Sequence, residues 1–518
     1  MSDGLLMLIL LASPLLGLAL LPVLPEESPL GWRLTAMAAM HGSLVAGCLL
    51  FASCHGSSAA GSIDIPWIDS LGLNLHLAVD GLNAYFLLLT VVIFPVVLAC
   101  AWSTRQAGDR LFLALLLALE ISLLGTFLSQ NLMLFFIFWE AVLIPGSLMI
   151  LVFGGEQGRK AATTFFLYTL AGSVLLLAAI ILLGVESVQQ TGTWSFELST
   201  LTSLSLSWNS QLFVFAALAL ACAIKCPIFP FHSWLPLVYC EAPFSGTALM
   251  AGVLSKMGVF GLLKLALPLC PDVARAAAPY AVSLAVVSIL YGAVLALRQQ
   301  EFKRLIAWSS LSHMGYIVLG IFSLQQSSLH GSLFQVLSHG LAVAGLFLVL
   351  SLLEQRVGGG YREITALSTL APRLAVVAML FIVTSIALPL TSGFTSEFLI
   401  LFGAFQKGMA AWQAGSSSLF LLSALVACSG MVLGAGYMLR FGRKLLFGST
   451  ASSPLPDLNL LEMISFLPLL LLILWIGISP GWLLEKTKPA VSSLTAGANQ
   501  EPPRLLLSAH LQGAFDGH

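Results

Sequence analysis

Runs of about twenty mostly apolar residues, the length that crosses a bilayer as a helix, dominate this 518-residue chain. Fourteen candidate spans lie near 4–24, 34–54, 82–102, 111–129, 131–153, 162–185, 211–226, 244–268, 278–297, 303–324, 328–353, 372–390, 418–441 and 459–478. Only 9% of residues are charged, 58% are hydrophobic, and the mean hydropathy is +0.98. Soluble chains carry about 25% charged residues, so this one lacks the polar surface that water requires. A soluble enzyme, a nucleic-acid binder and a disordered scaffold are thereby excluded. A net charge of −1 provides no field for a polyanionic partner. Eight cysteines, without a CxxC pair or a His/Cys cluster, supply neither a disulfide framework nor a metal site. The expected fold is all-α and polytopic. The first span follows Met-Ser-Asp-Gly with no basic stretch, which predicts a retained helix and not a cleaved signal.

Two spans contain breaks. One runs into Lys225-Cys226-Pro227-Ile228-Phe229-Pro230, and the other into Pro389 followed by Thr391-Ser392-Gly393. Proline removes a backbone donor and clashes with the preceding turn. Open backbone at membrane depth is tolerated only where protein or a wet cavity satisfies it, and in transporters such breaks recur at matching positions of two halves. Taking spans 4 to 8 and 9 to 13 as two units of five puts the broken helix fourth in each. An odd number of spans per unit makes them inverted repeats, an expectation resting on spacing alone. The predicted segments are 1–110 with three helices and an outer loop, repeats at 111–277 and 278–447, and a final helix with a polar tail at 448–518.

Lys and Arg set orientation through their excess in inner loops. With the N-terminus outside, inner loops hold Arg33, Arg105, Arg110, Arg159, Lys160, Arg298, Lys303, Arg304, Arg356, Arg362, Arg373, Arg440, Arg443 and Lys444. Outer segments hold Arg275, Lys407, Lys486, Lys488 and Arg504. Both termini are expected outside. The 55–80 loop, with Asp64, Asp69 and Asp80 and no Lys or Arg, suits the outer face, and the tail after 478 is too weakly apolar to span.

An ionised side chain at mid-span costs roughly 2.5–3.5 kcal/mol on insertion scales, so each one requires a reason. Glu120, Glu140, Lys256, His313 and His339 stand near the middle of their spans, and Lys225 and Glu397 stand at the two breaks. Groups at one depth in many helices form a row in the membrane plane. Acids, lysines and imidazoles exchange protons once burial changes their affinity for them. A hydrated lateral proton relay is one reading; buried ion pairs that fix helix packing are the other. His232, after Pro230, can titrate beside Lys225. Lys264, near a span end, reads as a snorkelling lysine, and Glu301 as a first-turn acid favouring a helix dipole. His41 and His330 receive no role.

Several stretches resemble the antiporter-like membrane subunits of respiratory complex I. They are FWEAVLIP at 138–145, IKCPIFPFHSWLP at 224–236, LSKMGVFGLLK around Lys256, KRLIAWSSLSHMGY at 303–316, SHGLAVAGLF at 338–347 and SEFLILFGAF at 396–405. The likeness runs from about Leu75 to about Phe447. Glu397 is glutamate where the L-type and N-type relatives carry lysine, and no long lateral helix follows the last span, which resembles the M-type branch. The resemblance implies that Glu140 and Lys225 form a coupling pair and that Lys256 is a central relay. It implies an exit through His313, His339 and Glu397, with His232 tuning the first half-channel. It also implies neighbouring L-type and N-type subunits, no nucleic-acid partner and no cofactor in this chain, with FMN, iron–sulfur clusters and quinone in partner subunits. The expected location is the inner membrane of a bacterium. Subunits of multi-subunit cation/proton antiporters, ion-pumping hydrogenases and inorganic-carbon uptake complexes are the alternatives. One departure stands out: after Trp234-Leu235-Pro236 the family usually reads Asp-Ala-His, whereas this chain reads Leu237-Val238-Tyr239.

Overall fold

The computed structural model describes residues 2–54, 61–104, 106–357, 365–448 and 455–499. The chain is helical almost throughout. A peripheral pair, α1 (Asp3–Leu20) and α2 (Pro29–Ser53), precedes a hairpin of β1 (Ser62–Ile68) and β2 (Leu73–Ala78). Then come α3 (Asn83–Ala101), α4 (Arg110–Leu128), the pair α5 (Leu132–Ala141) and α6 (Leu143–Phe153), α7 (Gly158–Thr191) and the short α8 (Leu198–Ser203). The first broken helix consists of α9 (Trp208–Lys225) and α10 (Leu235–Glu241). Next, α11 (Phe244–Leu249), α12 (Lys256–Gly261) and α13 (Leu267–Leu269) form one span joined by two π-helical turns, Met250–Leu254 and Leu262–Ala266. After α14 (Pro271–Arg298), α15 (Phe302–Phe322), α16 (Gln326–Val357) and the short α17 (Leu367–Leu370), the second broken helix is α18 (Pro372–Ser385) and α19 (Ser392–Gln413). The described chain ends with α20 (Leu419–Phe447), α21 (Leu460–Ile478) and α22 (Gly481–Asn499).

Thirteen of the described helical stretches are long and apolar enough to cross a membrane, and Pro372–Ser385 is a shorter apolar helix. The twelfth expected span, 372–390, is thus only half a helix, because Ala387 and Leu390 adopt left-handed φ of 60° and 75° and end it. Three features go beyond the expectations from sequence, in which the segment near 244–268 is a span and the tail after 478 is not. The 55–80 loop contains an antiparallel hairpin, with Asp64 opposite His76, whose alternating Ile and Leu residues were a legible strand signal. The span near 244–268 carries the two π turns. The tail after 478 is partly α22, which lays Lys486 Nζ on the carbonyls of Phe51 (2.9 Å) and Cys54 (2.8 Å) at the end of α2.

Two faces are evident. On one, Arg33 donates to the Ala107 carbonyl (3.0 Å), Gly155 N–H to that of Glu241 (2.8 Å), Lys303 to that of Ala242 (2.8 Å) and Arg440 to that of Leu297 (2.6 Å). Of the basic residues expected in inner loops, Arg105 and Arg362 lie outside the described residues and the others stand on this basic face; Arg504, expected in an outer segment, also lies outside the described residues. The hairpin, α8 and α22 occupy the opposite face.

The centre of the bundle is α3, the α11–α13 span, α15 and α16, each nearly enclosed by other helices. Helices apolar on all sides belong at a core, and these four fit that rule except at their few ionisable residues. Gly252 and Gly340 let two of them approach closely: a Cβ on Gly340 would lie 2.9 Å from the Gly252 carbonyl oxygen. Small residues of this kind let membrane helices pack backbone to backbone.

Candidate functional site

At the first break, Pro227 and Pro230 leave the last carbonyls of α9 without helical donors. Trp234 Nε1 donates to the Ile224 carbonyl (3.0 Å), and Phe229 N–H donates to Ser288 Oγ (3.0 Å), so the open backbone is satisfied within the protein. Lys225 is the last residue of α9 and is 1% exposed. A cation there favours the negative end of the half-helix dipole. Its Nζ lies 3.4 Å from the Trp139 carbonyl oxygen and 4.8 Å from the centre of the Trp139 ring. Glu140, next to Trp139, keeps a buried Oε1 without a hydrogen-bond partner. The expected Glu140–Lys225 pair is therefore adjacent through Trp139 and not in contact: no ion pair between them closes to 4.0 Å.

Lys256 begins α12 directly after a π turn. Its fully buried ammonium donates to the Ala251 carbonyl (2.5 Å), lies 3.2 Å from Ser255 Oγ and meets His339 Nδ1 at 2.9 Å. The π turn frees the Ala251 carbonyl from the ordinary helical ladder; such turns are frequent at functional sites. Where Lys256 is charged and donates, His339 Nδ1 accepts, and a neutral ring then carries its proton on Nε2. The His339 and His313 rings lie 5.2 Å apart. His313 Nδ1 is 3.1 Å from Glu397 Oε1, which also accepts from Gln335 Nε2 at 3.2 Å. A carboxylate only accepts, so beside an ionised Glu397 the His313 Nδ1 is the donor; the Gln335 amide nitrogen also lies 3.3 Å from it. Both Nε2 atoms are buried without a hydrogen-bond partner. Ser396 Oγ donates to Gln335 Oε1, which fixes the orientation of the amide.

The structure joins Lys256, His339, His313 and Glu397 into one chain of groups, with Lys225 and Glu140 beyond it. Gly258 seats α12 against α9, since a Cβ there would overlap Cys226 Cβ at 2.5 Å. His232 does not meet Lys225 through any hydrogen bond. It stacks on Phe229 (5.6 Å) and lies near Tyr291 (5.2 Å) and Trp308 (5.7 Å), enclosed by rings. Glu120 lies off the row, held by Ser43 of the peripheral α2. Lys264 pairs with Asp80 at 2.5 Å, a packing role at the face opposite the basic one. Sequence reasoning missed Gln335, Ser396 and Trp139. Gln335 is four residues before His339, on the same helix face, which was the available signal. Among the described residues, no group of three or more His, Cys, Asp or Glu is placed to hold a metal.

A family model described as NADH:quinone oxidoreductase/Mrp antiporter, transmembrane, matches residues 129–423. The chain is 35% identical to NADH-quinone oxidoreductase subunit M of Rickettsia conorii over 434 residues, 83% of this chain and 84% of the relative. A chain of respiratory complex I from Thermus thermophilus superposes with a TM-score of 0.84 and 32% identity, covering 96% of this chain and 100% of that one. A chain of the Mrp complex from Dietzia superposes at 0.81 but with 20% identity, over 95% of this chain and 97% of that one, a likeness of fold alone. With relatives of that identity over most of its length, the chain belongs to the NADH:quinone oxidoreductase/Mrp antiporter family of membrane subunits, in its subunit M branch.

Proposed function

We propose that the chain is a proton-translocating membrane subunit of a complex I-type NADH:quinone oxidoreductase. Its own residues move protons, while FMN, iron–sulfur clusters and the NADH and quinone sites belong to partner subunits. The observation that carries this reading is the buried sequence Lys256–His339–His313–Glu397, assembled from α12, α16, α15 and α19. Lone buried charges are costly, and a row of exchangeable protons gives them a use.

Glu140 and Lys225 form the drive in this reading. At an effective dielectric of about 20, moving unit charges from roughly 4 to 8 Å changes their attraction by about 2 kcal/mol. A shift of Glu140 relative to Lys225 therefore releases or captures the lysine proton. Lys256 passes a proton to His339 Nδ1 along the existing hydrogen bond. His339 hands its Nε2 proton toward the Nε2 lone pair of His313, and His313 delivers its Nδ1 proton to Glu397. His232, held among aromatic rings, tunes the first half of the path.

Residues 111–277 and 278–447 then act as two inverted units. In support, α9 and α10 run toward the basic face, whereas α18 and α19 run away from it. The basic face is cytoplasmic in this reading, which puts both termini outside the inner membrane of a bacterium. L-type and N-type subunits flank the chain, so that the row continues into neighbours.

The test is deletion and complementation in a bacterium that carries the chain. Inverted membrane vesicles should acidify on NADH addition only with the chain present, and a native gel should show it in a large complex. Recovery of an active, isolated ion pump would sink the proposal. The shared fold with an Mrp subunit makes cation/proton antiport the second reading, supported instead if Na⁺ collapses a preset proton gradient without NADH.

A further inference from the structure

A groove of about 820 Å³ opens on the basic face between the α1–α2 turn and the start of α4. Its charged groups are Glu26, Asp109 and Arg110, and its apolar wall includes Leu18, Leu111 and Ala114. Leu18 in α1 and Ala114 in α4 lie about one helical turn deeper than the α1–α2 turn and Arg110, so a charged mouth leads to an apolar interior. Arg110 donates to the Leu24 carbonyl (3.0 Å), and its guanidinium lies 4.7 Å from the centre of the Trp32 ring. Among the described residues no ion pair within 4.0 Å ties it to Glu26 or Asp109. Asp109 caps α4 by accepting from Leu111 N–H (2.8 Å) through Oδ1. Arg33 does not line the groove: it is spent on the Ala107 carbonyl (3.0 Å) and the Trp102 ring (5.9 Å). The indole N–H of Trp32, buried in the groove wall, has no acceptor among the described residues.

One cation and two acids that share a groove without pairing fit a ligand carrying both signs. A purely anionic headgroup would meet two carboxylates and one guanidinium, a net repulsion. An inorganic phosphate would use Arg110 but leave the apolar wall uncovered. We propose that the groove seats one phosphatidylethanolamine molecule of the leaflet at the basic face. Its phosphate accepts from Arg110, its primary ammonium donates to Glu26 and Asp109, and an acyl chain follows Leu18, Leu111 and Ala114. Charge-assisted hydrogen bonds of both signs then form at groups that the protein leaves unpaired. A choline headgroup has no N–H to donate, and the Trp32 ring that could attract it is only 8% exposed and already lies under Arg110. The bound lipid bridges the α1–α2 turn and α4, and so fastens the peripheral pair to the bundle. The proposal needs only the membrane-spanning fold and is independent of the proton-pumping reading.

The test uses the whole complex in lipid nanodiscs, with a trace of phosphatidylethanolamine carrying a photoreactive acyl chain. After illumination, mass spectrometry of the digested chain should find the label on residues 18–22 and 108–114. Unlabelled phosphatidylethanolamine should displace it, whereas equal amounts of phosphatidylcholine, phosphatidylglycerol or inorganic phosphate should not. Arg110→Gln should weaken retention on the order of tenfold, the loss of one charge-assisted hydrogen bond. The double variant Glu26→Gln/Asp109→Asn should weaken it at least as much, and asparagine keeps the cap of α4. Complex content is checked on a native gel. Displacement by phosphatidylglycerol or inorganic phosphate as readily as by phosphatidylethanolamine would overturn the assignment of the two acids. Equal displacement by phosphatidylcholine would overturn the ammonium contact, and label spread evenly over the lipid-facing helices would reduce the groove to ordinary bilayer contact. If Arg110→Gln fails to assemble, the double variant decides, and wild-type retention there overturns the proposal. Labelling requires no NADH, so a failure of pumping leaves this result untouched.

Discussion

Lys256 Nζ meets His339 Nδ1 at 2.9 Å where two glycines, Gly252 one turn before the lysine and Gly340 next to the histidine, bring their helices together. The contact joins the two broken-helix regions, since Lys256 packs beside the first and His339 leads through His313 to Glu397 of the second. A Cβ at Gly340 would meet a backbone carbonyl, which cannot swing aside as a side chain can. Gly340→Ala should destabilise the bundle by about 1–3 kcal/mol. Thermal unfolding of the extracted complex and NADH-driven acidification should both decline. Gly436→Ala is the control, because a Cβ there meets only Leu297 Cδ2 at 3.6 Å.

Glu140→Gln removes a charge without removing volume. The complex should assemble, while quinone-linked NADH oxidation and pumping fall together on the order of tenfold or more. Lys225→Met should do the same, and the double variant should be little worse than either, as for residues acting as a unit. Vesicle acidification with complex content checked on a native gel is the measurement. A normal rate and gradient in an assembled Glu140→Gln complex means the pair does not drive the pump.

Glu397→Gln retains a carbonyl that can accept from His313 Nδ1, so packing survives and only the proton acceptor is lost. Turnover and gradient should drop together. Glu397→Lys sets an ammonium against the N–H donors of His313 and Gln335 and should keep partial activity at best. Gln335→Leu leaves the amide network of Ser396 and Glu397 without its centre, and it should slow pumping although no charge changes. If Gln335→Leu pumps normally, the amide is only filler.

Asp80 and Lys264 close the opposite face, and their contribution should depend on pH. Burial alone would raise the Asp80 carboxyl, but Lys264 at 2.5 Å and the N–H groups of Leu82 (2.9 Å) and Asn83 (2.8 Å) hold it below its ordinary 3.8. A depressed carboxyl stabilises the fold above its unfolded value, and that contribution is lost as pH falls through the lower folded one. Melting curves of the purified complex should therefore show the pair intact from neutral pH to about pH 4 and weakening below. Asp80→Asn should cost about 1–3 kcal/mol at neutral pH and remove this acid dependence. An Asp80→Asn melting curve parallel to wild type at every pH speaks against it.

Much of this architecture was legible in order. Apolar length located the spans, proline located both breaks, and the buried Glu, Lys and His residues identified themselves by their cost in a membrane. The hairpin at Ser62–Ala78 shows its alternation in the sequence, but the π turns around Lys256 leave no mark in hydrophobic pattern. Glu120 and Glu140 looked equivalent by position, yet one faces Ser43 of α2 and the other lies beside the Trp139–Lys225 contact.

The sequence by itself determined which segments cross, where they open and which ionisable groups the bilayer must accommodate, because these follow from local chemistry along one helix. Tertiary structure alone decided the partners. His232 went to an aromatic enclosure and not to Lys225, Lys256 to His339, and Gln335 to the centre of the Glu397 cluster. Helical periodicity places residues on a face of their own helix. Which face of which neighbour they meet depends on crossing geometry, set by small residues such as Gly252, Gly258 and Gly340 that are far apart in the chain.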